Sequence, residues 1–351
     1  MFEKSICIAG KKIGEKEPVF IIAEAGVNHN GDYNIALRLI DEAANAGVDA
    51  IKFQSFKTEK LILNNIEKAP YQKETTGINE TQFEMLKRLE MSIEHMKKLK
   101  VYTEKKGLIF LSTPFDIESM EELDAIGIDA YKISSTDATN IPFIRKIAQK
   151  GKPILLSTGM CDVDEVDQAI KEIEKYNSQL VLLQCTANYP IKDEEANLSI
   201  IRKFHEQYHV IVGYSDHSTG VGAAPYAVPL GVKVIEKHFT LDKNMEGPDH
   251  RASLDPFELK KLVSDIRKVE KYCGVMEEKI PTWEEQSTKK SLQKCIVASS
   301  VIFEGDIFTE KNLTCKRTGG KGISARFFDQ LLGAKSKKDY NIDAIISEGE
   351  L

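Results

Sequence analysis

Apolar positions in this chain follow two rhythms that alternate over most of its length. Short runs rich in Val, Ile and Leu span 19–26, 50–56, 108–115, 130–136, 153–159, 180–186, 210–216 and 232–239. Between most of them, apolar residues recur with the period of a helix. Residues 32–46 form one such segment, with Gly47 placed to cap its end, and residues 162–176 form another, opened by an acidic first turn. Eight strands alternating with helices predict an α/β protein whose parallel sheet closes into a (β/α)8 TIM barrel. A doubly wound open sheet is the alternative. No G-x-G-x-x-G follows a strand, which argues against its dinucleotide-binding form. The segment 57–82 is polar and aperiodic; after a second barrel strand it would lie on the catalytic face as a substrate loop.

The pattern changes after residues 255–274, which read as the last barrel helix. Residues 275–290 are charged and carry Pro281 and the single tryptophan, Trp283, and read as a linker. From 291 to 351 the chain consists of short strands and turns. The division is therefore a barrel domain over 1–274, a linker over 275–290 and a small module over 291–351. A module of about 60 residues needs support from docking.

Alternation along the runs also sorts the polar residues. Val234, Glu236 and His238 share one face of a strand, and Gly213, Ser215 and His217 share a face of the strand before it. Glu24 lies on the inward parity of the first strand, and Lys52 and Gln54 share a parity on the second. Other strands end in Ser112-Thr113-Pro114, in Lys132 followed by Ser134-Ser135-Thr136-Asp137, in Ser157-Thr158-Gly159, and in Cys185-Thr186 followed by Asn188 and Tyr189. Catalytic groups of a barrel enzyme sit at these ends. Two histidines ending successive strands suit a two-imidazole metal site with open positions, although two hydrogen-bonded structural histidines would show the same spacing. Lys52 and Lys132 in one barrel mouth are costly unless neutralised. A phosphate or phosphorylated carboxylate would neutralise them, and so would pairing with Glu24, Glu236 or Asp137. A Schiff-base lysine is a further option, weakened by the histidine pair.

Composition narrows the partners. The chain has 351 residues, 42% of them hydrophobic, enough for a sizeable core. Its net charge of -6, with no long run of one sign, gives no sign of a nucleic-acid partner. The six cysteines are scattered without a C-x-x-C, as in a cytoplasmic protein with reduced thiols. No signal-peptide core or membrane-spanning stretch is present in the sequence.

Several segments resemble the sialic acid synthases, a family that includes the legionaminic acid synthases. They are Ile21-Ile-Ala-Glu24-Ala-Gly-Val-Asn28-His-Asn-Gly31, Ile51-Lys52-Phe-Gln54, Leu111-Ser-Thr-Pro-Phe-Asp116, Tyr131-Lys132-Ile, Leu156-Ser157-Thr-Gly-Met160, Tyr214-Ser-Asp-His217 and the run from Glu236 through Gly247-Pro248-Asp249-His250 to Ser253. The tail resembles the family's antifreeze-like (SAF) module, with Lys316-Arg317 at its basic pair. The resemblance implies condensation of phosphoenolpyruvate with N-acetylmannosamine or a close derivative. It implies a divalent metal on His217 and His238, manganese first, with magnesium and cobalt as alternates. Lys52, Lys132, Ser135 and Ser157 would hold phosphoenolpyruvate, and Glu24 would sit near the metal and the attacking water. Gln54, Tyr189 and Asp249 would lie on the sugar side. Thr113, Asp137, Ser215 and Glu236 complete the substrate-binding set, and Asp249 counts with Glu24, Lys52 and Lys132 as catalytic. Arg317 would reach the sugar's N-acetyl group from the partner subunit of a domain-swapped homodimer.

This chain departs from the family pattern at Asp137, where many relatives have Glu, at Ala187, where Ser, Thr or Asn is common, and at Thr318, where proline is usual. These positions leave the reaction class alone and bear on the sugar. N,N'-diacetyllegionaminate synthesis from 2,4-diacetamido-2,4,6-trideoxymannose and pseudaminic acid synthesis are the alternatives. Condensations leading to seven- or eight-carbon keto acids fit the tail and the Gly-Pro-Asp turn less well. A non-enzymatic binding or ice-binding protein is suggested by the tail alone.

Overall fold

The N-terminus forms a hairpin of two four-residue antiparallel strands, β1 (Ser5–Ile8) and β2 (Lys11–Gly14), which the periodicity does not mark. Eight parallel strands follow: β3 (Phe20–Gly26), β4 (Ala50–Ser55), β5 (Ile109–Pro114), β6 (Tyr131–Ile133), β7 (Ile154–Ser157), β8 (Leu180–Cys185), β9 (Ile211–Asp216) and β10 (Val234–His238). Their spatial order is β5-β4-β3-β10-β9-β8-β7-β6. The two end strands, β5 and β6, lie side by side, with no ladder joining them among the described residues. The result is a nearly closed (β/α)8 barrel. The structure, a computed structural model, describes residues 1–76, 79–276 and 278–351. Residues 77–78 of the segment 57–82, and residue 277 of the stretch 275–290, lie outside the described residues.

The helices begin and end where local chemistry directs. Asp32 caps the helix Tyr33–Ala46 through the amides of Asn34 and Ile35, and Gly47 closes it with a left-handed φ of 81°. Asp162 and Glu165 form a capping box on Val163–Glu174, and Asp255 and Glu258 form one on Pro256–Cys273. The strand predicted over 130–136 stops early. The Ser134 hydroxyl accepts from the Thr136 amide at 3.3 Å and winds Ser135–Asp137 into a 3-10 turn.

The outward residues of the strands pack against the helices in one large apolar layer. The inward residues are stacked in tiers. Phe20, Ile22, Ala50, Leu111, Leu155 and Val181 belong to an apolar floor, and Ile6, Ile8 and Ile13 of the hairpin pack against it from below. Gly213 belongs to this crowded interior: a Cβ there would stand 2.3 Å from Leu183 Cδ2. One step further along the same strands the inward residues become Glu24, Lys52, Lys132, Ser157, Ser215 and Glu236, all buried. The interior thus changes from hydrocarbon to ionisable groups over one pleat of each strand.

Contacts divide the chain into Met1–Gly274 and Val275–Leu351. In the second unit β11 (Lys294–Ala298) pairs antiparallel with β12 (Leu313–Arg317) over a small core that includes Ile296, Ile302, Phe308 and Tyr340. The helix Trp283–Leu292, which buries none of its side chains, begins in the stretch read as a linker and runs two residues past its end. All six cysteines are free. Among the described residues no helix is long and apolar enough to cross a membrane.

Candidate active site

Strand register assembles the ionisable tier. On one side of β3, His238 of β10 is level with Glu24, and on the other Lys52 of β4 is level with Glu24. Ser215 of β9 pairs with Glu236 of β10, and Gln54 of β4 pairs with Thr113 of β5. Lys52 Nζ lies 2.6 Å from Glu24 Oε2, 2.9 Å from Thr113 Oγ1 and 3.6 Å from Glu236 Oε2. Lys132 Nζ lies 3.6 Å from the other oxygen of Glu236, which also accepts from Ser215 Oγ at 3.1 Å. Gln54 Nε2 donates to Glu24 Oε1 at 3.3 Å. Ser135 Oγ accepts the Gly159 amide at 2.9 Å, while Ser157 Oγ is buried with no hydrogen-bond partner among the described residues.

The four charges are not equivalent. Burial raises the Glu24 carboxyl to about 7, against the pull of Lys52. Burial would also raise Glu236, but Lys132 and Lys52 outweigh it and bring it down to about 2. Lys52 is held above the usual lysine value because Glu236 and Glu24 overcome its desolvation. Desolvation wins at Lys132, which is lowered. A carboxyl that takes up a proton near neutrality leaves the cluster with excess positive charge, which suits an anionic ligand. The lysines therefore do pair with Glu24 and Glu236, and the anion-binding option remains chemically open beside that pairing.

Two imidazoles overlook this cluster. The rings of His217 and His238 are 5.4 Å apart between centroids, and Tyr189 packs on both, at 4.2 and 5.3 Å. His217 Nδ1 lies 2.7 Å from the Thr186 carbonyl, which can only accept, so Nδ1 carries a proton and Nε2 is the nitrogen left to bind a metal. His238 Nδ1 is buried without a hydrogen-bond partner among the described residues; the nearest carboxylate oxygen, Asp249 Oδ2, is 3.9 Å away. Burial, then His217 and Lys52, holds His238 well below the ordinary histidine range, so it is neutral. His217 is raised instead, because Cys185, the Thr186 carbonyl and Glu236 outweigh its desolvation; once it gives up that proton, the two imidazoles are the donor set of a two-histidine metal site with open positions. No third protein ligand joins them: among the described residues no three His, Cys, Asp or Glu side chains are grouped to hold a metal.

Outside the ionisable tier lies a second cavity of about 420 Å3. Its floor includes Gln54, Ser135, Tyr189, His238 and Asp249, and its outer wall comes from the insertion after β4. That insertion forms the helices Thr58–Leu61 and Pro70–Thr76. It is held to the barrel by Thr75 Oγ1, which donates to the Pro248 carbonyl at 3.3 Å, and by the Tyr71 ring, 5.1 Å from the Tyr189 ring. Burial raises the Asp249 carboxyl to about 6.

Most of the residues picked from the sequence meet here. Glu24, Lys52, Gln54, Thr113, Lys132, Ser135, Ser157, Tyr189, Ser215, His217, Glu236 and His238 line the inner chamber, and Asp249 lines the outer one. Asp137 lines neither; its carboxylate accepts from Asn140 Nδ2 at 2.9 Å, at the start of the next helix. Arg317 belongs to the second unit, where it ends β12 and is exposed. Sequence reasoning missed Tyr71, whose only signal was an aromatic residue within a polar segment. It also missed Cys185 as a chamber residue, with Sγ 3.8 Å from His217 Nδ1.

Comparison with known proteins gives a consistent result. Residues 39–278 match the NeuB family. An N,N'-diacetyllegionaminic acid synthase of Campylobacter jejuni is 44% identical over 93% of this chain and 98% of that protein. A human N-acetylneuraminate-9-phosphate synthase is 36% identical over 95% of this chain and 92% of its own length. Among solved structures, an N-acetylneuraminic acid synthetase from Leptospira borgpetersenii, crystallised with citrate, superposes with a TM-score of 0.72 at 37% identity, over 81% of this chain and 94% of that one.

Proposed function

Since the chain belongs to the NeuB family of sialic-acid-type synthases, we propose that it condenses phosphoenolpyruvate with an N-acylated mannosamine-type sugar. The sugar we favour is 2,4-diacetamido-2,4,6-trideoxymannose, with N,N'-diacetyllegionaminate and phosphate as products. The observation that carries the reaction class is the buried Lys52–Glu24–Glu236–Lys132 cluster beneath two adjacent imidazoles. The choice of sugar is supported by the name of the 44% identical relative, and N-acetylmannosamine is the competing substrate.

In this reading Lys52 and Lys132 receive the phosphate and carboxylate of phosphoenolpyruvate, with the hydroxyls of Ser135 and Ser157 as further donors. His217 and His238 would hold a divalent cation, manganese in the family's usual form, which supplies electrophilic polarisation of the sugar's aldehyde oxygen. The methylene carbon of phosphoenolpyruvate bonds to the aldehyde carbon, whose oxygen takes a proton. Water adds at the neighbouring carbon, and phosphate leaves by C–O cleavage. In this step Glu24 orients that water and accepts its proton, a role supported by a carboxyl raised to about 7 by burial. The same reading makes residues 291–351 the antifreeze-like module of a swapped dimer, with Arg317 serving the sugar bound by a neighbouring copy.

The test is phosphate release from phosphoenolpyruvate with manganese, against a panel containing the trideoxy sugar, N-acetylmannosamine and N-acetylmannosamine 6-phosphate. Release that depends on one of these sugars supports the synthase reading. No release with any of them overturns it, and preference for N-acetylmannosamine overturns the choice of sugar.

A further inference from the structure

The outer chamber has a chemistry opposite to that of the inner one. Among the described residues its lining contains no Lys or Arg, while Phe56, Leu61, Ile62, Met85, Leu86 and Phe115 contribute hydrocarbon. Two cations of this region are engaged elsewhere. Lys68 Nζ donates to Thr76 Oγ1 at 2.8 Å and to Glu80 at 3.0 Å, and Arg88 meets the same carboxylate at 2.9 Å. At the junction of the two chambers stands Tyr71. Its ring backs that of Tyr189, which packs on both imidazoles. Its hydroxyl accepts from Gln72 Nε2 at 3.3 Å, and burial, then the Asp249 carboxylate, pushes the phenol above its ordinary value, so it stays un-ionised.

We propose that Tyr71 is a specificity-determining residue: with Tyr189 it forms an aromatic wall that selects a sugar whose end remote from the aldehyde is uncharged and carries apolar acyl or deoxy groups. The proposal deepens the synthase reading and rests on it. A sugar whose aldehyde lies at the imidazoles must extend its far end toward this wall, because the ionisable tier closes the other direction. A methyl or acetyl group there gains contact with ring faces and displaces water from hydrocarbon. A phosphate there would lose hydration and meet no Lys or Arg in the lining that this chain supplies. Tyr71 lies outside the tier that handles phosphoenolpyruvate, so it should govern which sugar is used and leave the chemistry of the step unchanged.

The experiment compares the native chain with Tyr71→Ala and Tyr71→Phe, by steady-state phosphate release with the trideoxy diacetamido sugar and with N-acetylmannosamine. Tyr71→Ala is expected to lower the ratio of kcat/KM for the first sugar over the second by about tenfold or more. The loss should appear in the sugar's KM, with the KM for phosphoenolpyruvate changed less than about threefold. Tyr71→Phe, which keeps the ring, should hold the ratio within about twofold of native. An unchanged ratio in Tyr71→Ala would overturn the proposal, as would a parallel rise in the KM for phosphoenolpyruvate or an equal loss in Tyr71→Phe. Calorimetric titration of both sugars onto the same three proteins reads the wall without turnover. If no sugar releases phosphate from the native chain, the synthase reading fails, and Tyr71 is still judged by the ratio of binding constants. Equal ratios there, or no binding of either sugar, would sink the assignment.

Discussion

The inner and outer chambers share Gln54, Ser135, Tyr189 and His238, yet they are built by different means. The inner one is made of side chains one pleat above the apolar floor, fixed by the register of parallel strands. The outer one borrows its far wall from two short helices held by a hydrogen bond to Pro248 and a ring contact. Groups that must hold charge within tenths of an ångström are on the most rigid part of the fold, and groups that sort substrates are on an insertion that can vary without disturbing it. Reaction class and substrate choice are therefore separable, and mutations should separate them.

The largest effect is expected at the imidazoles. His217→Ala or His238→Ala should lower kcat by on the order of 1000-fold or more, and a chelator should do the same to the native protein until metal is restored. Undiminished phosphate release from chelator-treated protein would remove the electrophile from the inner chamber. Next come the lysines. Lys52→Ala and Lys132→Ala should each reduce kcat/KM for phosphoenolpyruvate by about 100-fold or more. They should differ in stability. Lys52 is the closer partner of two buried carboxylates, so its loss should cost about 3 kcal/mol by urea unfolding. Lys132, at 3.6 Å from one of them, should cost less. Equal stability losses would mean that the asymmetry between the lysines is not real.

A third test concerns the loops beside the outer chamber. His29 Nδ1 accepts the Gly31 amide at 2.9 Å, and His250 bridges Thr240 Oγ1 at 2.6 Å and Asn30 Oδ1 at 3.1 Å. Burial lowers the buried His29 to about 4. The unfolded chain takes up its proton near the ordinary histidine value while the folded chain resists, so stability is full above about 6.5 and falls as pH drops toward 4. The loss assigned to His29 should approach about 3 kcal/mol at the lower end. Urea unfolding of native protein and of His29→Gln across that range reads it, and an identical slope in both would clear His29 of the role. The smallest change is expected from placing a cation in the outer chamber. Half-buried Ile62, replaced in Ile62→Arg, should shift preference by about tenfold toward a 6-phosphorylated sugar and leave the KM for phosphoenolpyruvate alone. A change in phosphoenolpyruvate use would show that the two chambers are not separable.

The same contrast explains what could be read from the sequence. Period-two alternation places Glu24, Lys52, Gln54, Glu236 and His238 on inward faces, and barrel geometry then brings their strand ends together, so the inner chamber needed no contact information. Tyr71 gave no such signal, because its helix has seven residues in a polar segment and its position depends on Thr75 reaching Pro248. The run 130–136 looked like one strand because apolar content does not reveal that the Ser134 hydroxyl turns the chain. Asp137 lines neither chamber for the same local reason: the turn directs its carboxylate to Asn140. The N-terminal hairpin escaped because four-residue strands are too short to establish a period.

That hairpin has a kinetic consequence. Ile6, Ile8 and Ile13 seal the lower end of the barrel against the apolar floor. The interior is consequently closed at that end, and the chamber walled by Tyr71 and Tyr189 adjoins its open one. On the proposed reading the compound bound at the lysines must be in place before the sugar covers it. Binding would then be compulsorily ordered, the sugar-derived product would depart before any phosphate trapped beneath it, and excess sugar would inhibit by occupying the entrance of an empty well.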